Sequence, residues 1–297
     1  MQRLKPDFVL SGRYRLTAPV ASGGMGQVWA AFDTTLERRV AVKIMHPHTQ
    51  DEFALVERFR DEARFAAQLT HPNTVTIHDF GEHDGLAFLV MELVDGPNLS
   101  QLLAAEGALP PGLVRDIVRQ LAAALHVAHR AGIIHRDIKP GNVLMAPGSI
   151  PRLTDFGIAR SVDGGSLTST GQLLGTAYYL SPEQAMGGPV GPPSDIYSLG
   201  LLAHEMLTGS KPFDRGSPIA TALAQVQEPA PTLPPAVPVD LVEVVMACLA
   251  KEPADRPTAD DLVRLLESGT EAAQALSGLE PPEALAGLPR RAIRDGS

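Results

Sequence analysis

Ile133-Ile134-His135-Arg136-Asp137-Ile138-Lys139-Pro140-Gly141-Asn142 is the stretch from which the rest of the chain can be read. Its polar positions spell H-R-D-x-x-x-x-N, preceded by two isoleucines and followed by Val143-Leu144-Met145. Apolar runs on both sides predict a short loop between β-strands, which would hold Asp137, Lys139 and Asn142 close together on a rigid support. The three side chains are chemically complementary. A carboxylate accepts a hydroxyl proton, an ammonium neutralises a phosphate, and an amide oxygen is a hard ligand for Mg²⁺. The bland alternative is a surface loop of ordinary polar residues. It weakens with each partner found elsewhere in the chain.

Upstream, Ala21-Ser22-Gly23-Gly24-Met25-Gly26-Gln27-Val28 lies between two strand-like runs and predicts a β-hairpin with a glycine-rich turn. Glycines let a backbone approach a phosphate and aim N–H groups at it. Alone, such a turn is more often a plain hairpin. Here Val40-Ala41-Val42-Lys43 follows, a buried strand ending in an ammonium that needs an anionic partner. Glu62 is the candidate, on a helix predicted between Asp51 and Leu69, although from that segment alone a solvated carboxylate is the simpler reading. Two more strands end at Ala87-Phe88-Leu89-Val90-Met91, and the Gly96-Pro97 turn marks a domain boundary.

Downstream the pattern turns helical. Leu113–Arg130 carries an apolar stripe and leads into the central loop. Leu153-Thr154-Asp155-Phe156-Gly157 follows a hairpin-like stretch, and Ser161–Gly175 is a polar segment carrying Thr168, Ser169 and Thr170 that reads as mobile. Ser181-Pro182-Glu183 closes it. Asp195 is read as the cap of an apolar helix reaching Leu207, a proline-rich loop covers Pro229–Pro238, and two further helices end near Glu267.

The whole-chain properties exclude several classes. A formal net charge of −9 over 297 residues argues against a nucleic-acid binder. The single cysteine, Cys248, sits in an apolar helical context and reads as core, so no disulfide framework exists. There is no signal-peptide pattern and no window of about 18 apolar residues, so the chain is expected to be soluble. His126 and His129 stand three apart on a helix without an evident third metal ligand.

Taken in order, the glycine-rich turn, Lys43, Glu62, His135-Arg136-Asp137, Asn142, Asp155-Phe156-Gly157 and Ser181-Pro182-Glu183 resemble the eukaryotic-type serine/threonine protein kinases. Gly23-Gly24-Met25-Gly26 together with Gly175–Gln184 resembles the bacterial branch, and the resemblance runs from about Tyr14 to Glu267. It implies an α+β, two-lobed fold: a lead-in over 1–13, a small β-rich N-lobe with one key helix over 14–91, a hinge at 92–95, a larger helical C-lobe over 96–268 and a weakly ordered tail over 269–297.

The resemblance also implies roles. Asp137 orients the attacking hydroxyl and takes its proton, and Lys139 stabilises charge on the transferred phosphoryl group. Lys43 holds the α- and β-phosphates of ATP and pairs with Glu62. Asn142 and Asp155 hold Mg²⁺ (or Mn²⁺). Val20, Ala21, Ser22, Gly23, Gly24, Met25, Gly26 and Val28 cover the nucleotide. Ala41 and Leu144 sandwich the adenine, with Glu92 and Val94 at its edge and Met91 behind it. Thr176 helps fix Asp137, Asp195 anchors the loop backbone, and Glu183 pairs with Arg256. The implied partners are proteins with Ser/Thr acceptors and a second copy of the chain, transiently, for phosphorylation in trans at Thr168 and Thr170, with Arg136 receiving the phosphate. Neither nucleic acid nor a membrane segment is expected. The expected location is cytoplasmic, or the cytoplasmic portion of a longer membrane-anchored protein.

Two positions depart from the family pattern. Ala21 stands where the first glycine is expected, and Ser181 stands where an alanine is usual. A nucleotide-binding pseudokinase scaffold would be marked by loss of Lys43, Asp137 or Asp155, and none is lost. A small-molecule phosphotransferase shares H-x-D-x-x-x-x-N, yet would lack the threonine-rich segment, Ser181-Pro182-Glu183 and Arg256.

Overall fold

Period-two alternation builds the first sheet. In the computed structural model, which describes residues 4–23, 26–45, 68–156 and 177–274 (side chains to 267), the small lobe is a six-stranded antiparallel sheet. Its strands are β1 (Val9–Leu10), β2 (Tyr14–Gly23), β3 (Gly26–Asp33), β4 (Arg38–Met45), β5 (Ile77–His83) and β6 (Leu86–Glu92), in the order β1-β2-β3-β4-β6-β5. Register pairs Trp29 with Val42, Ala31 with Val40, Val42 with Val90 and Ile44 with Phe88. These residues share one face and bury it with Leu10, Tyr14 and Leu16. The pairs Val28–Lys43 and Ala41–Met91 fall on the other face, toward the cleft. The strand predicted to end at Lys43 therefore runs through it.

Gly26 shows how closely β3 lies against β4. A Cβ there would stand 2.1 Å from Ile44 O, so no other residue fits without moving a strand. Ala21 has no such constraint. It pairs with Val28 as an exposed strand residue and does not have positive φ, which is why alanine is tolerated there.

The larger lobe packs around helices α1 (Leu99–Glu106), α2 (Pro111–Arg130), α3 (Pro182–Ala185), α4 (Pro192–Thr208), α5 (Pro218–Gln227), α6 (Val239–Cys248) and α7 (Ala259–Gln274), with the hairpin β7 (Val143–Ala146) and β8 (Ile150–Leu153). Every residue of α4 from Ser194 to Leu207 is buried, the pattern of a helix enclosed on all sides. Cys248 is buried, as expected.

A strut joins the lobes beside the hinge. Val75 N donates to Leu153 O at 2.9 Å, Leu153 N donates to Asn73 O at 2.8 Å, and Asn73 Nδ2 reaches Pro151 O and Gln120 Oε1, both at 2.9 Å. Gly96 makes the hinge's exit possible, because a Cβ there would stand 1.9 Å from Met145 O.

Four local readings are corrected. The central loop is entered from helix α2, not from a strand: Ile133 N donates to Ala128 O at 2.9 Å, so the two isoleucines continue the helix end. Asp195 does not cap α4, which starts earlier at Pro192 with Gly191 as its N-cap. Helix α5 was not expected. Helix α7 continues to Gln274, past position 269 where the tail was expected to begin. Gly24, Met25, the segment predicted as a helix bearing Glu62, Gly157, Thr168, Thr170 and Thr176 lie outside the described residues.

Candidate active site

Asp195 anchors the central loop from inside α4. Its carboxylate accepts His135 N at 2.9 Å and Arg136 N at 2.8 Å, and it lies 2.8 Å from His129 Nε2. This gives Asp195 the anchoring geometry the resemblance implied. It also explains His129, which serves the loop rather than a metal.

Arg136 adopts φ 64°, a left-handed conformation that costs a non-glycine residue about 1–3 kcal/mol. The surrounding bonds hold it there. His135, fully buried, accepts Asp137 N through Nδ1 at 3.3 Å and meets Thr154 O through Nε2 at 2.9 Å. Accepting at one nitrogen and donating at the other requires the neutral Nε2–H tautomer. The ring also packs against Phe156, with centroids 4.7 Å apart.

Two predicted residues, Lys139 and Asn142, then converge on the carboxylate of a third, Asp137. Lys139 Nζ lies 2.7 Å from Asp137 Oδ2, and Asn142 Nδ2 donates to Asp137 O at 2.8 Å and to Oδ2 at 3.1 Å. A single 3-10 turn, Pro140–Asn142, brings the amide back over the acid.

Across the cleft, Lys43 Nζ lies 2.6 Å from Asp155 Oδ1. The structure therefore pairs Lys43 with Asp155, while Glu62 lies outside the described residues. Burial alone would raise the Asp155 carboxyl; the charge and hydrogen bond of Lys43, helped by the charge of Lys139, outweigh it and hold the group below its ordinary value.

Between these polar groups and the hinge lies an apolar slot. Ala41, Val75 and Met91 are buried there against Val28, Leu93, Val94 and Leu144. Glu92 N is already bonded to Thr76 O at 2.9 Å, so its backbone has only the carbonyl to offer a ligand. Val20 is 57% exposed at the open lip. Behind Met91, a pocket is lined by Leu69, Ile77, Leu89, Thr154, Asp155 and Phe156.

Glu183 and Arg256 meet as expected, at 2.7 and 2.9 Å, with the guanidinium fully buried. Sequence reading missed the tautomer of His135 and the use of His129. Their signal, two histidines six apart flanking a helix end, acquires meaning only once Asp195 is brought between them.

This geometry matches a known family. The protein kinase domain profile matches residues 14–265, and the chain belongs to that family, on the branch of the bacterial serine/threonine kinases. The chain is 45% identical over 252 residues to the serine/threonine-protein kinase PknA of Mycobacterium tuberculosis, covering 83% of this chain and 58% of PknA. It is 40% identical over 257 residues to PrkC of Bacillus subtilis, covering 85% of this chain and 40% of PrkC. It thus spans about half the length of the curated relatives it matches. The crystal structure of the Mycobacterium tuberculosis PknI kinase domain superposes with a TM-score of 0.70 at 29% identity, covering 91% of this chain and 99% of that one.

Proposed function

We propose that this chain is an ATP-dependent protein kinase that transfers the γ-phosphoryl group to Ser or Thr hydroxyls of proteins. One observation carries the reading: Asp137, Lys139 and Asn142 on one loop face the Lys43–Asp155 pair, set 2.6 Å apart, at the end of an apolar slot. A scaffold without turnover has no need of all these groups.

The residues present fit a nucleotide with a divalent cation. Val28, Ala41, Leu144 and Met91 offer an apolar slot for a flat base, and the Glu92 carbonyl and Val94 backbone offer its edge partners. The glycine-rich turn, Val20 to Gly26, would cover the phosphates. Asn142 commits Nδ2 to Asp137, which leaves Oδ1 as a hard oxygen donor that would hold the cation together with the Asp155 carboxylate. Among the described residues no three His, Cys, Asp or Glu side chains form a metal-holding group, which suits a cation completed by phosphate oxygens. The family uses ATP and a divalent cation; we take the cation to be Mg²⁺, with Mn²⁺ as a substitute. Bound there, the cation supplies charge neutralisation at the phosphates.

The chain's own groups do the rest. Asp137 accepts a hydrogen bond from the acceptor hydroxyl and takes its proton as the phosphoryl group leaves. Lys139, now on Asp137, turns to the transferred oxygens. Lys43 exchanges Asp155 for phosphate oxygens and for Glu62. Phosphorylation of Thr168 and Thr170 by a second copy would give Arg136 a doubly charged partner. No helix among the described residues is long and apolar enough to cross a membrane, and we place the domain in the cytoplasm, on its own or within a longer anchored protein.

The test is incubation with labelled ATP, with and without chelator, for the parent, Asp155→Ala and Asn142→Ala. Transfer should need the cation, vanish in Asp155→Ala and weaken less in Asn142→Ala. Equal transfer in chelator would contradict the reading.

A further inference from the structure

Gln184 ties the helix after Ser181-Pro182-Glu183 to the central loop through one carboxamide. Its Oε1 accepts Ser181 N at 3.0 Å and Ser181 Oγ at 3.2 Å, while its own backbone N donates to Ser181 Oγ at 3.3 Å. That is a reciprocal cap on α3. Its Nε2 reaches away from the cap and donates to Arg136 O at 3.0 Å.

Arg136 O belongs to the peptide whose N–H is that of Asp137. The N–H end is held by His135 Nδ1 and the carbonyl end by Gln184, while Arg136 N is held by Asp195. The left-handed φ of Arg136 sets the direction in which Asp137 leaves the backbone. Without a donor on the carbonyl, this peptide can rotate toward commoner backbone conformations and carry the acid with it.

The far side of α3 is equally fixed. Glu183 accepts Arg256 and also Ser194 Oγ at 2.6 Å. Gln184 thus sits between a rigid anchor and the one strained peptide of the loop.

We propose that Gln184 is a positioning residue for Asp137: its amide nitrogen fixes the Arg136–Asp137 peptide, and its oxygen ties that geometry to α3. The acid's aim and the position of α3 are then set together. This rests on the kinase reading above.

The test compares the parent, Gln184→Glu and Gln184→Met on a peptide acceptor, with the melting temperature of each. Gln184→Glu keeps an oxygen for the cap and loses the donor; Gln184→Met keeps neither. Both should lose kcat by about ten- to a hundredfold, the scale of a misaligned catalytic group, with KM for ATP unchanged. Only Gln184→Met should also lose the cap's share of thermal stability. Parental kcat in Gln184→Glu, or a kcat that merely follows melting temperature, overturns the proposal. If Gln184→Glu does not fold, Ser181→Ala replaces it, removing the hydroxyl half of the cap while keeping the amide nitrogen. A kcat loss there as large as in Gln184→Met overturns the proposal, and a smaller one supports it. An inactive parent overturns both readings, whereas an active parent with an equally active Gln184→Glu overturns this one alone.

Discussion

Lys43 and Asp155 meet across the cleft at 2.6 Å, and Arg256 and Glu183 meet within the helical lobe at 2.7 Å. By distance the pairs are alike. Their surroundings are not. The side chains in the cleft are 12% and 29% exposed, and among the described residues Lys43 has the single bond to Asp155. In the helical lobe they are 0% and 10% exposed, and every nitrogen of the guanidinium donates, to Glu183, Ala250, Pro193 and Lys251. A fully satisfied buried pair has nothing to exchange and serves the fold. A partly exposed pair, joined by one bond among the described residues, can trade its partner for a ligand. Similar charges thus divide between chemistry and architecture according to how many of their hydrogen-bonding sites are filled.

The largest effect should come from breaking the chemical side. Lys43→Met is expected to lower turnover by about 10²–10⁴-fold while the melting temperature stays near the parent's, since a partly exposed pair contributes little to stability. A protein that unfolds on this change would erase the contrast.

Next comes the architectural side. Arg256→Met leaves the Glu183 carboxylate buried without its partner and should cost about 3–5 kcal/mol in denaturant unfolding. Unchanged stability would show that the pair is dispensable.

The acid limb sharpens the same point. Burial would raise Glu183, but Arg256 and Ser194 hold it below the ordinary 4.5. A lowered pKa contributes stability that is present above 4.5 and is lost as pH falls through the folded value. In Arg256→Met, burial acts without the counter-charge, so the folded pKa should rise and the sign reverse. Melting curves below pH 4.5 should therefore converge for parent and variant. Parallel curves would contradict this.

The smallest effect is expected at Ala21. Because it is an exposed strand residue without positive φ, Ala21→Gly should change ATP affinity by about 1 kcal/mol or less. A hundredfold change would make Ala21 a specific determinant.

Much of the site was legible because its side chains come in fixed short spacings: Asp137, Lys139 and Asn142 lie on one loop. The slot residues Ala41, Met91 and Leu144 were also readable, from the resemblance. What was not legible depends on where partners arrive in space. Ile133 and Ile134 look like a strand, yet Ala128 O takes the Ile133 N–H and continues the helix end. Asp195 looks like a cap, yet Pro192 starts the helix earlier and frees the carboxylate for the loop. Helix α5 escaped notice although Ser217 caps it, because Ile219 and Leu223 are 78% and 52% exposed and blur its apolar stripe. Gln184's second bond spans 48 residues, and no local pattern announces it.

The central claim is that Asp137 takes the acceptor's proton in phosphoryl transfer to Ser or Thr. Its most direct measurement is the transfer rate from labelled ATP to a protein acceptor, parent against Asp137→Asn, with phosphoamino-acid analysis of the product. The expected result is phosphoserine or phosphothreonine from the parent, and a rate about 10²–10⁴-fold lower from a folded Asp137→Asn. Near-parental transfer by Asp137→Asn, or label appearing only on tyrosine, would contradict the account.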